Sequence, residues 1–99
     1  MNGARPNPSQ AHVALSVGAT AQTLSELGYT PELRTALVQL YVEGGSVRVT
    51  VNGTAPTTTL GVLWKDGTLW EMGIIEASVA KFILESGQPA KLQVLAFTA

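Results

Sequence analysis

From Ser46 to Asn52 the chain alternates without a break. Val47, Val49 and Val51 share one side, and Arg48, Thr50 and Asn52 share the other. Period-two alternation built on β-branched residues predicts a half-buried strand of an antiparallel sheet. The same test, applied along the chain, predicts further strands. His12–Val17 places Val13 and Leu15 on one side, Gly18 breaks it, and Ala19–Leu24 resumes extended. Thr35–Glu43 carries Leu37, Val38, Leu40, Tyr41 and Val42. That density also suits a helix, but the β-branched and aromatic residues and the following Gly44-Gly45 favour a strand. Leu60–Trp64, Leu69–Met72, Val79–Glu85 and Lys91–Thr98 complete the set.

The turns are written in Gly, Pro, Asn and Asp. Glu43-Gly44-Gly45 supplies the positive φ angles of a tight hairpin, and Lys65-Asp66-Gly67-Thr68 is the strongest short hairpin signal in the chain. Between Asn52 and Thr57, Asn-Gly and Pro56 make a reversal. In Ser25–Arg34, Thr30-Pro31-Glu32 suits the start of one helical turn capped by Thr30. Gly73–Ser78 reads as a short helical turn, and a helix from Ile74 to Leu84 competes with the strand there. Seven or eight short strands at regular spacing predict an all-β fold, an antiparallel β-sandwich or a jelly-roll-like barrel. Residues 1–10, with Pro6 and Pro8 and no periodicity, read as a flexible N-terminal arm, leaving 11–99 as one domain.

Composition narrows the partners. Ninety-nine residues make one core, not two. A formal charge of −1 gives no basic face for nucleic acid and no polybasic segment for a membrane. Only 13% of residues are charged, against roughly 25% in ordinary soluble proteins. So poor a charge endowment is expected of a domain that hides surface against a partner or another copy. No apolar run is long enough to span a bilayer, and the N-terminus lacks the apolar stretch of a secretory signal. Without cysteine, thiolate metal sites are excluded.

Catalytic chemistry finds no foothold. His12 is the one histidine and has no acid near it in sequence, so a solvated or packing role outweighs metal binding. Glu71 and Glu76 fall on an expected loop, and Asp66 serves a turn. No serine stands in a G-x-S-x-G elbow, and the glycines lack the lysine and strand-to-helix context of a phosphate loop. No enzyme activity, cofactor or metal is therefore expected.

The tryptophans are different. With Asp66-Gly67 as a two-residue hairpin loop, Trp64 pairs with Leu69 and Leu63 with Trp70, so the indoles point to opposite faces. A three-residue loop with a bulge puts both on one side. Core or rim packing explains both residues, while an exposed one would anchor an interface or, less favoured, stack on a sugar. Trp64, Trp70, Tyr41 and Arg48 are the interface candidates.

The run VEGGSVRVTVNGTAPTTTLGVL, Val42 to Leu63, resembles a pattern in small structural proteins of tailed bacteriophages. There a VEGG strand precedes a D/N-G-T-x-P-T turn and a hairpin, followed by an apolar strand, a glycine turn and a C-terminal strand. The likeness covers Thr35–Ala99. It implies a β-sandwich component of the virion, assembled in the host cytoplasm; a homo-oligomer is expected on separate grounds, because a small domain with few charges gains stability by burying more area. Such a component binds the phage major capsid protein or neighbouring virion proteins, as a head decoration or cement protein. A small tail or head–tail adaptor protein is the alternative. NGTAPT is also similar to a turn in immunoglobulin-like modules appended to sugar-degrading enzymes, which implies a carbohydrate-binding module. Asn52 stands where both patterns usually have Asp, and the aromatic-rich strand expected before the turn in the second is missing.

Overall fold

The computed structural model describes residues 9–85 and 87–98. Eight strands form two four-stranded antiparallel sheets: β1 (Ser9–Val17), β2 (Gln22–Thr23), β3 (Thr35–Glu43), β4 (Val47–Thr50), β5 (Val62–Trp64), β6 (Leu69–Met72), β7 (Lys81–Leu84) and β8 (Ala90–Thr98). One sheet runs β1-β8-β3-β6 and the other β2-β7-β4-β5. The sheets pack as a sandwich and do not close into a barrel, so the sandwich half of the sequence expectation is the one that holds. Of the expected arm, Ser9 and Gln10 already belong to β1, and residues 1–8 lie outside the described residues.

The alternation that predicts the strands also sorts the core. Leu15 and Val17 of β1, Val38, Leu40 and Val42 of β3, and Leu92, Val94 and Ala96 of β8 face inward from the longer sheet. Val47, Val49, Trp64 and Phe82 meet them from the shorter one. The shorter sheet does not cover the longer one completely, and two small helices bury further apolar groups beside it. In α1 (Leu24–Leu27), Leu24 is fully buried, and in α2 (Ile74–Val79), which packs on β3, Ala77 is buried.

Both helices are held by their first turns. Thr23 Oγ1 accepts from the Glu26 N–H at 3.1 Å while Glu26 Oε1 accepts from the Thr23 N–H at 2.9 Å, a complete capping box. The expected helical turn after Pro31 does not form; the helix lies earlier, and Glu26 three residues after Thr23 is the signal that marks it. Glu76 Oε1 likewise reaches back to the Gly73 N–H at 3.4 Å. The stretch Ile74–Leu84 is thus helix to Val79 and strand from Lys81.

The largest departure from the sequence concerns the turns. Neither Glu43-Gly44-Gly45 nor Lys65-Asp66-Gly67-Thr68 closes a hairpin. β3 and β6 belong to the longer sheet, β4 and β5 to the shorter one, so each turn is an arch from one sheet to the other. Links of three residues (44–46) and four (65–68) are long enough to cross the roughly 10 Å between packed sheets. The arches also brace each other. Asp66 Oδ1 accepts from the Gly44 N–H at 3.1 Å, the Gly67 N–H donates to Val42 O at 2.8 Å, and the Val42 N–H donates to Thr68 O at 2.9 Å. Gly44, at φ 95°, lies so near the β7–β8 connection that a Cβ would sit 2.9 Å from Pro89 O.

Candidate interaction site at the open sandwich edge

The arch at Lys65–Thr68 decides where the tryptophans go. The expected pairings of Trp64 with Leu69 and of Leu63 with Trp70 do not occur. Trp64 instead sits opposite Val47 on the shorter sheet, and Trp70 opposite Leu40 on the longer one. Both partners are fully buried, so both indoles point into the sandwich from opposite walls. Their rings stack with centroids 5.2 Å apart and planes 23° from parallel. Trp64 is also edge-on to Phe82, at 5.9 Å and 65°.

The two residues nevertheless differ in exposure. Trp64 is 2% exposed and is a core residue, which removes it from the exposed interface candidates. Trp70 is 43% exposed because, among the described residues, β6 is the last strand of its sheet. Val62, facing inward opposite Val49 on edge strand β5, is 58% exposed for the same reason. The sandwich is therefore open along the β5–β6 side. A trough of about 280 Å³ lies there, walled by Val49, Val51, Gly61, Val62, Trp64 and Trp70 and flanked by Thr50 and Asn52.

The trough's shape comes from the loop between β4 and β5. Arg48, on the outer face, donates from Nε to Thr58 O at 3.3 Å and from Nη1 to Gly61 O at 3.0 Å, tying that loop back to β4. Gly61, at φ 116°, passes so near Val49 that a Cβ would stand 3.0 Å from its carbonyl oxygen. The polar residues of the reversal are spent locally. Thr50 Oγ1 donates to Thr54 O, Asn52 Oδ1 accepts from the Thr54 N–H at 3.1 Å, and Thr57 Oγ1 accepts from the Leu60 N–H at 2.9 Å. Arg48 and Thr50, which the sequence leaves over on the strand's outward side, are thus already engaged by the fold.

One polar atom of a trough residue is not engaged. The Trp64 indole N–H is buried and has no hydrogen-bond partner among the described residues. A buried donor left unpaired costs about 1–3 kcal/mol. Tyr41, the remaining candidate, lies on the outer face of the longer sheet, 40% exposed, beside Leu69 at 59%. It does not reach the trough.

Five of the seven acids have structural work. Glu26 and Glu76 cap helices, Asp66 braces the arches, Glu71 accepts from Gln39 Nε2 at 2.6 Å, and Glu43 accepts from Gln93 Nε2 at 2.8 Å. Among the described residues no three His, Asp or Glu side chains gather as a metal site would require. Val51 and Val62 are the site residues the sequence does not single out. Alternation predicts Val51 as buried, and only the end of β4 at Thr50 leaves it at the trough.

Comparison with protein-family models, with curated proteins and with solved structures gave no match.

Proposed function

We propose that this chain is a non-enzymatic virion structural protein that docks on a repeating protein lattice, as a head decoration or cement protein. The support is one relationship between chemistry and surface. The polar side chains at the turns and caps are consumed by the fold, while apolar groups stay exposed at the open edge and on the outer face of the longer sheet. Among the described residues, Val51, Val62 and Trp70 are exposed at the edge and Tyr41 and Leu69 on the outer face. Burying such surface is the main driving force for association, and a half-exposed tryptophan is the side chain most often found to anchor an interface. The phage resemblance of Val42–Leu63 names the setting: partners are the major capsid protein or neighbouring virion proteins, and several copies assemble together.

The carbohydrate-binding alternative keeps only Trp70 as a platform, since Trp64 is covered. A sugar ring on Trp70 would need hydroxyl partners beside it. The nearest, Thr50 and Asn52, are committed to the backbone of the reversal.

The test is particle composition. Purified virions should contain the chain in fixed stoichiometry with the major shell protein, and Trp70→Ala should dissociate from them more readily. Its absence from particles would end the proposal.

A further inference from the structure

We infer that Asn52 is a self-modifying residue. In the folded chain the Gly53 main-chain nitrogen displaces its side-chain amide, leaving aspartate or isoaspartate on the flank of the trough. The inference is independent of the virion proposal.

The reaction needs only water. The Asn52 Cγ and the Gly53 nitrogen are tethered so that their union closes a five-membered ring, and such tethering replaces an encounter with a rotation. Hydroxide takes the Gly53 amide proton, the nitrogen pair attacks Cγ, and the C=O pair moves onto Oδ1. Collapse of that tetrahedral intermediate breaks the Cγ–Nδ2 bond, and Nδ2 leaves as ammonia with a proton from water, which restores the hydroxide. Water then opens the cyclic imide. Addition at Cγ gives aspartate; addition at the main-chain carbonyl gives isoaspartate, whose backbone runs through Cγ. The sum is one amide and one water converted to one carboxylic acid and one ammonia, without electron transfer.

The fold chooses between two sites. Among the described residues, Asn52-Gly53 and Asp66-Gly67 are the dipeptides that can close this ring next to a glycine. Exposure does not separate them, since all four residues are exposed. Nor does the backbone: the glycines have φ 86° and 93°, each with open space around it. Hydrogen bonding does. The Gly67 N–H is committed to Val42 O at 2.8 Å, and Asp66 Oδ1 to the Gly44 N–H at 3.1 Å, so nucleophile and electrophile are both held in the braced arches. The Gly53 N–H has no hydrogen-bond partner among the described residues. Asn52 Oδ1 accepts from the Thr54 N–H at 3.1 Å, which puts a donor on the oxygen that becomes negative in the intermediate. Asp66-Gly67 is disarmed by the fold, and Asn52-Gly53 is left armed.

The consequence falls on the trough. Its lining has no ionisable side chain, and Asn52 stands on its flank. Conversion adds a negative charge there to a chain whose formal charge is −1. Isoaspartate also adds a main-chain atom to the link between β4 and β5. A partner that covers this flank must then desolvate a carboxylate, which is unfavourable unless it is paired.

The experiment is peptide mapping with isoaspartate detection on the full chain, held in mildly alkaline buffer with and without urea. Native Asn52 should convert within about threefold of its rate in urea, whereas Asp66 should isomerise about tenfold or more slowly in the native chain than in urea, because its reaction waits for local opening. Asn52→Gln, which enlarges the ring by one carbon, should cut conversion at this position about tenfold or more while Asn2-Gly3, mapped separately, keeps its rate. Native Asn52 slowed as strongly as Asp66, or conversion confined to Asn2, overturns the inference. A chain that converts at Asn52 but is absent from virions loses the virion proposal alone. A chain found in virions whose Asn52 survives the native incubation intact loses this one alone.

Discussion

Trp64 and Trp70, six residues apart, stack on each other from two different sheets at 5.2 Å between ring centroids. The arch between them turns two successive strands inward, which a hairpin would not do. It also leaves one indole in the core and the other at the rim.

That asymmetry sets the cost of each residue. Trp64→Ala should lose about 3–5 kcal/mol, the range for deleting a large buried aromatic. Trp70→Ala should lose less, on the order of the 0.5–1.5 kcal/mol of an aromatic pair plus part of its burial. Urea unfolding midpoints of both variants and of the double variant measure this, and the double variant should cost less than the two singles added together. Trp64→Phe should be the mildest Trp64 change, because it keeps an aromatic beside Phe82 and removes a buried donor that has no partner.

The arch end gives a prediction about three glycines. Gly44→Ala should cost about 2–4 kcal/mol, since it places a Cβ at φ 95° and 2.9 Å from Pro89 O. Gly45→Ala lacks the positive φ but meets two carbonyl oxygens at 2.9 Å, and should cost about 1–3 kcal/mol. Gly67→Ala has φ 93° with open space around it, so backbone strain of about 1–2 kcal/mol is its whole cost. Thermal melting of the three variants should give that order.

Arg48 holds the trough's far wall by two charged donors on backbone carbonyls. Arg48→Lys keeps the charge but cannot reproduce a forked contact. About 1.5–3 kcal/mol of loop tethering should be lost. Hydrogen exchange at 57–61 should rise while the amides of β3 and β8 stay protected. Equal acceleration across both sheets would contradict this.

Tyr29 predicts an alkaline limb. Burial raises its pKa above 10.0 and the nearby Glu32 charge adds to that, while the Thr35 hydroxyl beside it acts in the opposite sense without meeting the geometry of a full hydrogen bond. A raised folded value means that the folded chain holds the phenolic proton more tightly than the unfolded chain does. The contribution to stability is then complete below the unfolded value near 10 and is lost as pH rises through the folded one. Denaturation midpoints between pH 9 and 12, compared with those of Tyr29→Phe, should diverge only in that window.

Much of the fold was legible in local pattern. The alternation of Val47 and Val49, of Leu40 and Val42, and of Leu92 and Val94 follows from the two-residue period of a strand, whatever it pairs with. Pro56, Gly53 and Asn52 marked a reversal for equally local reasons. The capping box of Thr23 and Glu26 was also written in the sequence, three residues apart, although Pro31 drew the expected helix to the wrong place.

Of the candidate site, Trp64 and Trp70 were singled out by the sequence, while their arrangement, and the places of Val51 and Val62 beside them, were not legible. Asp66-Gly67 and Gly44-Gly45 have the composition of hairpin turns, and the chain reverses at both. Whether a reversal returns to the same sheet or crosses to the facing one depends on which strands, tens of residues away, fill the places beside β3 and β4. β8 and β6 take the places beside β3; β7 and β5 take those beside β4. That allocation put Trp64 and Trp70 face to face and left Val62 and Trp70 on an uncovered flank. Sequence alone determined that these residues lie on strands near a tight turn. Only the tertiary pairing decided that the turn is an arch, because burial of both inner faces is a property of two sheets together and of neither strand alone.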